Sequence, residues 1–146
     1  MNKRGFTLIE LLIVIMVISI LVGISLPRFK GMQDEGNIAK AKGELRTLQT
    51  AVESYYIHNS NTYPTALSSL TTATPNIIGS ALPTDPFTSG SNYGYAQSAS
   101  VRYYVIYSVG VGGNGSAVIS DAGTVTETNG SSCIYVANGS PRDTQP

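Results

Sequence analysis

The hydrophobic pattern divides the chain into a long apolar run, an amphipathic stretch and a turn-rich remainder. The run begins at Phe6 and ends at Leu26, and one carboxylate, that of Glu10, interrupts it. About 20 mostly apolar residues can cross the roughly 30 Å core of a bilayer as an α-helix. A charged side chain inside such a segment is rare and costly, so Glu10 is a candidate functional residue.

The same helix is predicted to continue beyond Leu26, because apolar residues recur at alternating spacings of three and four. This apolar stripe consists of Ile38, Ala41, Leu45, Leu48, Val52 and Tyr55. Polar turn-forming residues follow His58, and Pro64 disfavours further helix, so we expect the helix to end near His58. A helix from Phe6 to His58 measures about 80 Å.

The remainder of the chain predicts a small β-rich unit. Four prolines make segment 61–86 an irregular loop, with a short helical or extended piece at 66–70. The predicted strands are 92–97, 101–109, 117–120, 124–126 and 133–137. An antiparallel sheet laid across the apolar stripe would bury both surfaces, which predicts an α+β fold. Only the second half of the helix is covered in this way, so lipid or further copies of the chain must bury the first half.

Composition and charge exclude several classes of function. The 146 residues carry nine basic and nine acidic side chains, so nothing favours nucleic acid as a partner. His58 is the single histidine, which removes histidine-centred triads and multi-histidine metal sites. Cys133 is the single cysteine, which excludes an intramolecular disulfide. No histidine or basic residue lies near it in the sequence, so we expect a partly buried, unreactive thiol. We therefore predict neither enzymatic activity nor a required cofactor, and a membrane-anchored enzyme is the least supported alternative.

The charges before the apolar run differ from those of an ordinary secretory signal. Lys3 and Arg4 precede Gly5 and the run, and no small-residue cleavage pattern ends the run. Cleavage would therefore fall before the apolar segment and leave it in the mature protein. The two basic residues predict a cytoplasmic N-terminus, with the C-terminal part on the periplasmic side of the inner membrane.

The N-terminal motif resembles the class III signal of type IV prepilins and of the pseudopilins of type II secretion. The matching residues are Lys3-Arg4-Gly5-Phe6-Thr7-Leu8-Ile9-Glu10. The resemblance implies that a prepilin peptidase cuts after Gly5 and methylates Phe6, and that Glu10 directs assembly. Pro27 lies where many members of this superfamily carry a helix-kinking proline. Segment 23–27 is predicted to form either a fixed bend or a turn that unwinds when the subunit leaves the bilayer.

The position of Glu10 has a physical explanation of its own. Cleavage after Gly5 would create an amine on Phe6, four residues and about 6 Å along a helix from Glu10. A neighbouring chain offset by about one turn could offer its own amine to this carboxylate. Apolar packing would supply affinity, and the charge pair would set the stagger, because a desolvated charge without its partner is costly. The alternative is an incidental carboxylate near the membrane surface.

The second half of the chain resembles the G-type major pseudopilins. The matching features are Leu82-Pro83-Thr84-Asp85-Pro86-Phe87, Tyr93-Gly94-Tyr95 and Tyr107-Ser108-Val109-Gly110, although tryptophan is usual in place of Phe87. Those proteins carry calcium after the second strand, held partly by adjacent carboxylates. Here the corresponding segment 111–123 offers Asp121 alone. Calcium prefers about six to eight oxygen ligands, so Asp121 is a weak calcium candidate and the glycines at 110–115 predict a tight turn.

These resemblances imply four segments: a cleaved leader 1–5, a membrane and filament-core helix 6–28, an amphipathic half 29–60, and a head 61–146. They imply a homo-oligomeric helical filament, either the pseudopilus of type II secretion or, as the alternative, a surface type IV pilus for adhesion, twitching motility or DNA uptake. The implied partners are membrane lipid, the prepilin peptidase, an inner-membrane assembly platform, and minor pilins or pseudopilins. The subunit would begin in the inner membrane and end in a periplasmic or surface filament.

Overall fold

The computed structural model describes residues 5–79, 81–128 and 133–143. Its elements are α1 (Leu8–His58), α2 (Ser69–Thr72), β1 (Gly94–Gln97), β2 (Tyr104–Ser108), β3 (Ser116–Ile119), β4 (Val125–Thr128) and β5 (Ile134–Ala137). The chain divides into two compact units, the N-terminal unit (Met1–Gly36) and the C-terminal unit (Asn37–Pro146). The predicted α+β class, with one long helix and antiparallel strands, is confirmed.

The long helix predicted from the apolar pattern is α1, which begins two residues later than expected and ends at the expected His58. At its end, the Asn61 amide donates to the Tyr56 carbonyl at 3.1 Å, and Ser60 takes a positive φ of 54°. This is the arrangement of a Schellman closure, which satisfies a terminal helix carbonyl. Pro27 lies within the bounds of α1, and the kink expected there stays a prediction.

The predicted apolar stripe forms the core of the C-terminal unit. Ala41, Leu45, Leu48 and Val52 are almost completely buried, and they pack with Tyr104 and Ile106 of β2 and with residues of β5. Ile38 and Tyr55 pack at the margin of the same cluster. Each large apolar side chain buried in this way contributes about 1.5–3 kcal/mol. This stripe therefore fastens the second half of α1 to the strands.

The strands form two antiparallel sheets rather than the single sheet that was predicted. One sheet has the order β1-β2-β5, and the other is the β3-β4 hairpin. In the first sheet Gly94 lies opposite Tyr107, and Val105 lies opposite Ala137. Successive residues of β2 face opposite sides: Ile106 joins the cluster on α1, and Val105 joins a second cluster with β3, β4 and β5. The central strand is therefore buried on both faces.

The position of Gly94 in the sheet explains why the Tyr-Gly-Tyr motif has glycine at its centre. The ring of Tyr107 lies over Gly94 from the paired strand, and a Cβ at Gly94 would overlap that ring. A larger residue would force the ring off the sheet, so the close approach requires glycine at this position.

The bounds of the predicted strands differ from the observed ones by up to three residues, and two predicted segments begin three residues later than expected. The strand predicted from residue 101 begins at Tyr104, because residues 98–103 form a turn. In that turn the Val101 amide donates to the Ser98 carbonyl, and the Ser98 amide donates to the Tyr103 carbonyl, both at 2.9 Å. The short piece predicted at 66–70 is α2, at Ser69–Thr72. The dipeptide Asn129-Gly130, which is typical of a hairpin turn, lies outside the described residues.

Candidate functional site

The predicted cleavage position lies in irregular chain just before α1. Gly5, Phe6 and Thr7 have no regular secondary structure, and α1 begins at Leu8. The side chain of Phe6 is 81% exposed. Proteolysis needs accessible backbone that can extend, and the Gly5–Phe6 bond meets that requirement. The basic residues Lys3 and Arg4 lie outside the described residues.

Glu10 lies in the first turn of α1, where it forms a capping box with Thr7. The amide and the hydroxyl of Thr7 both donate to Oε2 of Glu10, at 3.0 and 2.9 Å. The Glu10 amide donates in return to the Thr7 hydroxyl at 3.3 Å. These reciprocal bonds satisfy backbone donors at the start of the helix, where negative charge is also favourable. The carboxylate thus has a partner within its own chain, in addition to the one predicted in a neighbour.

Thr7, unlike Glu10, had no predicted role. The signal was present, because Thr-x-x-Glu immediately before an apolar run is the pattern of a capping box. The box also explains why the helix begins at Leu8. Position 7 is the N-cap, and position 10 is the third helical residue.

The N-terminal unit exposes a continuous apolar surface along α1. From Leu8 to Met32 its large apolar side chains are between 45% and 88% exposed, and no described element covers them. The hydroxyl of Ser19 donates to the Ile15 carbonyl at 2.7 Å, so the hydrogen of this hydroxyl is satisfied within the helix. The helix is long and apolar enough to cross a membrane. A surface of this size requires lipid or other protein to cover it.

Two glutamates on the second half of α1 accept hydrogen bonds from tyrosines of the C-terminal unit. The hydroxyl of Tyr93 donates to Glu44 and that of Tyr104 donates to Glu53, both at 2.6 Å. The hydroxyl of Tyr63 also donates to Glu53, at 3.3 Å. Burial, followed by the adjacent carboxylate, raises the pKa of both Tyr93 and Tyr104. These side chains stay protonated and donate, so they connect α1 to the strands by charge-assisted hydrogen bonds.

Asp85, from the Leu82–Phe87 motif, is a buried carboxylate that fastens the loop before β1 to the end of β2. It is 2% exposed. Its Oδ1 accepts from the Phe87 amide at 3.0 Å and from the Ser108 hydroxyl at 2.8 Å, and its Oδ2 accepts from the Val109 amide at 2.9 Å. The motif was recognised from the sequence, but its aspartate was given no role. Its role here is structural, because it joins two segments that are distant along the chain.

Asp121, the weak calcium candidate, is exposed and bonded to the turn before β2. Its Oδ1 accepts from the Ser100 amide at 2.6 Å, and this hydrogen bond lowers the pKa of the carboxyl. In residues 5–79, 81–128 and 133–143, no three His, Cys, Asp or Glu side chains are grouped closely enough to hold a metal ion. The glycine-rich segment forms the expected tight turn, in which the Gly113 amide donates to the Gly110 carbonyl at 3.0 Å. Asp121 therefore stays a weak calcium candidate.

Two family models match the chain. Residues 1–26 match the prokaryotic N-terminal methylation motif. Residues 28–125 match type II secretion system protein G. Together they cover the apolar run, the apolar stripe and most of the strands.

Individual relatives agree with these matches. The chain is similar to type II secretion system core protein G of Pseudomonas aeruginosa, at 26% identity over 83% of this chain and 92% of the relative. It is also similar to core protein G of Klebsiella pneumoniae, at 30% identity over 77% of this chain and 87% of the relative. The type IV major pilin protein PilA of Myxococcus xanthus is 44% identical, but over only 38% of this chain and 25% of the relative. No solved structure gives a significant match.

Proposed function

This chain belongs to the type II secretion system protein G family, and from that premise we propose that it is a non-enzymatic pseudopilin that polymerises through α1 into a filament for protein export. The observation that carries the proposal is the apolar surface of α1 from Leu8 to Met32, because its length and exposure require lipid or copies of the chain to cover it.

In this proposal the subunit first resides in the inner membrane, anchored by the apolar half of α1. Lys3 and Arg4 hold the leader in the cytoplasm, and the C-terminal unit lies in the periplasm. A prepilin peptidase then cuts between Gly5 and Phe6 and methylates the new terminus. The exposure of Phe6 and the irregular backbone at residues 5–7 support this step. The segments 6–28, 29–60 and 61–146 serve as membrane anchor and filament core, amphipathic half, and head.

Glu10 sets the stagger of neighbouring subunits in this proposal. Before assembly its carboxylate is held by Thr7 through one oxygen, Oε2. During assembly it turns to the N-terminal amine of Phe6 in a neighbouring chain, and the charge pair replaces the capping box. A subunit entering at the wrong offset would leave the carboxylate without a cationic partner inside an apolar bundle, at a cost of about 3–5 kcal/mol. Pro27 would supply the bend or the unwound turn that the helix needs on leaving the bilayer.

The proposed partners follow from this scheme. They are further copies of the chain, membrane lipid, the peptidase, an inner-membrane assembly platform and minor pseudopilins. The alternative of a surface pilus has narrower support, because similarity to the Myxococcus xanthus pilin covers 38% of the chain whereas the protein G model extends from residue 28 to residue 125.

Two substitutions on α1 test the assembly role. Glu10→Ala is expected to leave a processed, membrane-inserted protein whose filament yield falls at least tenfold, since it leaves the neighbour's amine without a partner inside an apolar bundle, at a cost of about 3–5 kcal/mol. Glu35→Ala is the matched control, because it removes an exposed carboxylate from the same helix beyond the apolar run. The yield is counted by electron microscopy of overexpressed protein, and mass spectrometry reports whether the chain begins at methylated Phe6. A normal filament yield from Glu10→Ala, or a chain that retains Met1, would refute the proposal.

A further inference from the structure

A pocket of about 410 Å³ lies between the end of α1 and the turn that joins β1 to β2. Tyr56 and Tyr63 supply aromatic surface, Asn61 and Ser100 supply polar groups, and Arg102 supplies a guanidinium. The volume is within the range of small-ligand sites, about 300–1,000 Å³.

Arg102 is the one charged side chain among the described residues that line the pocket. The carboxylates of Asp121 and Glu53 accept hydrogen bonds from the lining residues Ser100 and Tyr63. The attraction for an anion therefore comes from Arg102.

Hydrogen bonds hold the turn that forms one wall of this pocket. The Ser100 amide donates to Asp121 at 2.6 Å, and the Arg102 carbonyl accepts from the Asn138 side chain at 3.1 Å. On the other wall, the rings of Tyr56 and Tyr63 stack with centroids 4.5 Å apart. A site built in advance loses little conformational freedom when a ligand enters.

Positive φ angles cluster around the pocket. Ser60 and Asn61 take theirs in the turn that closes α1, whereas Val101 is strained. The described non-glycine residues with positive φ are Ser60, Asn61 and Val101, at 54°, 56° and 57°. Asn61 and Val101 line the pocket, and Ser60 adjoins it. The left-handed conformation is unfavourable for a β-branched residue, and at 41% exposure Val101 gains little from burial. Strain of this kind concentrates at functional sites, where it shapes a surface that a relaxed loop would not form.

From these observations we infer that the pocket binds a carboxylate that is attached to an aromatic or apolar group. Arg102 makes no ion pair within residues 5–79, 81–128 and 133–143, so its guanidinium is available to form a bidentate pair of hydrogen bonds with a carboxylate. The ring of Tyr56 offers a face for the apolar body, and Asn61 and Ser100 offer polar partners. This inference goes beyond the proposed function and does not depend on filament formation.

A matched pair of small probes tests the inference on the full chain in detergent micelles. N-acetyl-L-phenylalanine carries the carboxylate and the ring, whereas N-acetyl-L-phenylalaninamide carries the ring alone. We expect the acid to shift the backbone amide NMR signals of Asn61 and Arg102 in a saturable manner, with a Kd of about 1 mM. The amide should bind about tenfold more weakly, because it cannot form the charge-assisted contact.

Two arginine variants locate the contact. Arg102→Gln should weaken binding of the acid about tenfold, while Arg142→Gln, which removes an exposed charge outside the pocket, should leave it unchanged. Inorganic phosphate is the third arm, and it should bind more weakly than the acid because it offers no apolar body. Equal binding of acid and amide, equal effects of the two variants, or tighter binding of phosphate would each overturn the inference.

Discussion

Replacing Asp85 with asparagine tests how much one buried carboxylate contributes to the stability of the C-terminal unit. Asparagine has nearly the same shape, but it converts one of the two oxygens to an NH₂ group. If its oxygen keeps the contacts with Phe87 and Ser108, its NH₂ group faces the Val109 amide, where Oδ2 accepts at 2.9 Å. Two donors then oppose each other, and one hydrogen bond to a charged group is lost.

The magnitude follows from that geometry. A hydrogen bond to a charged group contributes about 1.5–3 kcal/mol, and a buried donor left unsatisfied costs about 1–3 kcal/mol. Partial access of water to Val109, which is half-buried, reduces the sum. We therefore expect Asp85→Asn to lower the free energy of unfolding by about 2–3 kcal/mol.

Tyrosine fluorescence during urea unfolding measures this change. The chain has nine tyrosines and no tryptophan, and all nine lie at residue 55 or beyond, so the signal reports the C-terminal unit alone. With a urea dependence of about 2 kcal/mol per molar, the midpoint should fall by about 1–1.5 M. Glu127→Gln is the control, because it neutralises an exposed carboxylate on β4, and it should change the free energy of unfolding by less than about 0.5 kcal/mol.

A second substitution assigns the effect to the Asp85 contacts. Ser108→Ala removes one of the three donors and also the acceptor of the Gly110 amide, at 3.1 Å. Because Asp85 and Ser108 touch, the double variant should lose less than the sum of the single variants, by about 1 kcal/mol. Additive effects, or an Asp85→Asn variant as stable as Glu127→Gln, would refute this account of the buried carboxylate.

Two further predictions follow from the structure. Val101→Gly should stabilise the C-terminal unit by about 1 kcal/mol in the same unfolding assay, because glycine accepts the positive φ of 57° without strain; destabilisation would show that the side chain contributes more than its conformation costs. Burial raises the pKa of the Cys133 thiol to about 12, so its reaction with Ellman's reagent at pH 8 should be at least about a hundredfold slower in folded than in urea-unfolded protein. The folded-state rate should rise about tenfold per pH unit between pH 8 and 10, as the thiolate fraction rises; a fast, pH-independent reaction would contradict the raised pKa.

Much of the architecture was predictable because it depends on local periodicity. Spacings of three and four along residues 38–55 mark one face of a helix, and Leu45 and Val52 are buried on that face. Alternating and β-branched residues indicate strands, so all five strands were predicted, but their predicted ends differ from the observed ends by up to three residues. The division into two sheets was missed, because no local pattern states which strands pair.

The candidate functional residues likewise divide into those that a local motif marks and those that depend on contacts between distant residues. Gly5, Phe6 and Glu10 stand in a compact motif, so the resemblance to prepilins could be recognised over a few neighbouring residues, and that resemblance implied their roles. Thr7 was within reach of the same reasoning, since it pairs with Glu10 three positions away. The tyrosines that bond Glu44 and Glu53 were out of reach, because 49 and 51 residues separate Tyr93 and Tyr104 from their partners.

The sequence by itself determined the long helix and its exposed apolar half, because helical periodicity and hydrophobicity act between near neighbours. It also contains the N-terminal methylation motif as a continuous segment. Only the tertiary structure decided the burial of Asp85 and the pocket beside Arg102. Both result from contacts between segments distant along the chain, since Asp85 is 23 residues from Ser108 and the pocket joins residues 56–63 to 100–102. Such contacts form when the α1 stripe and the two sheets pack together, and their geometry depends on that packing rather than on local sequence.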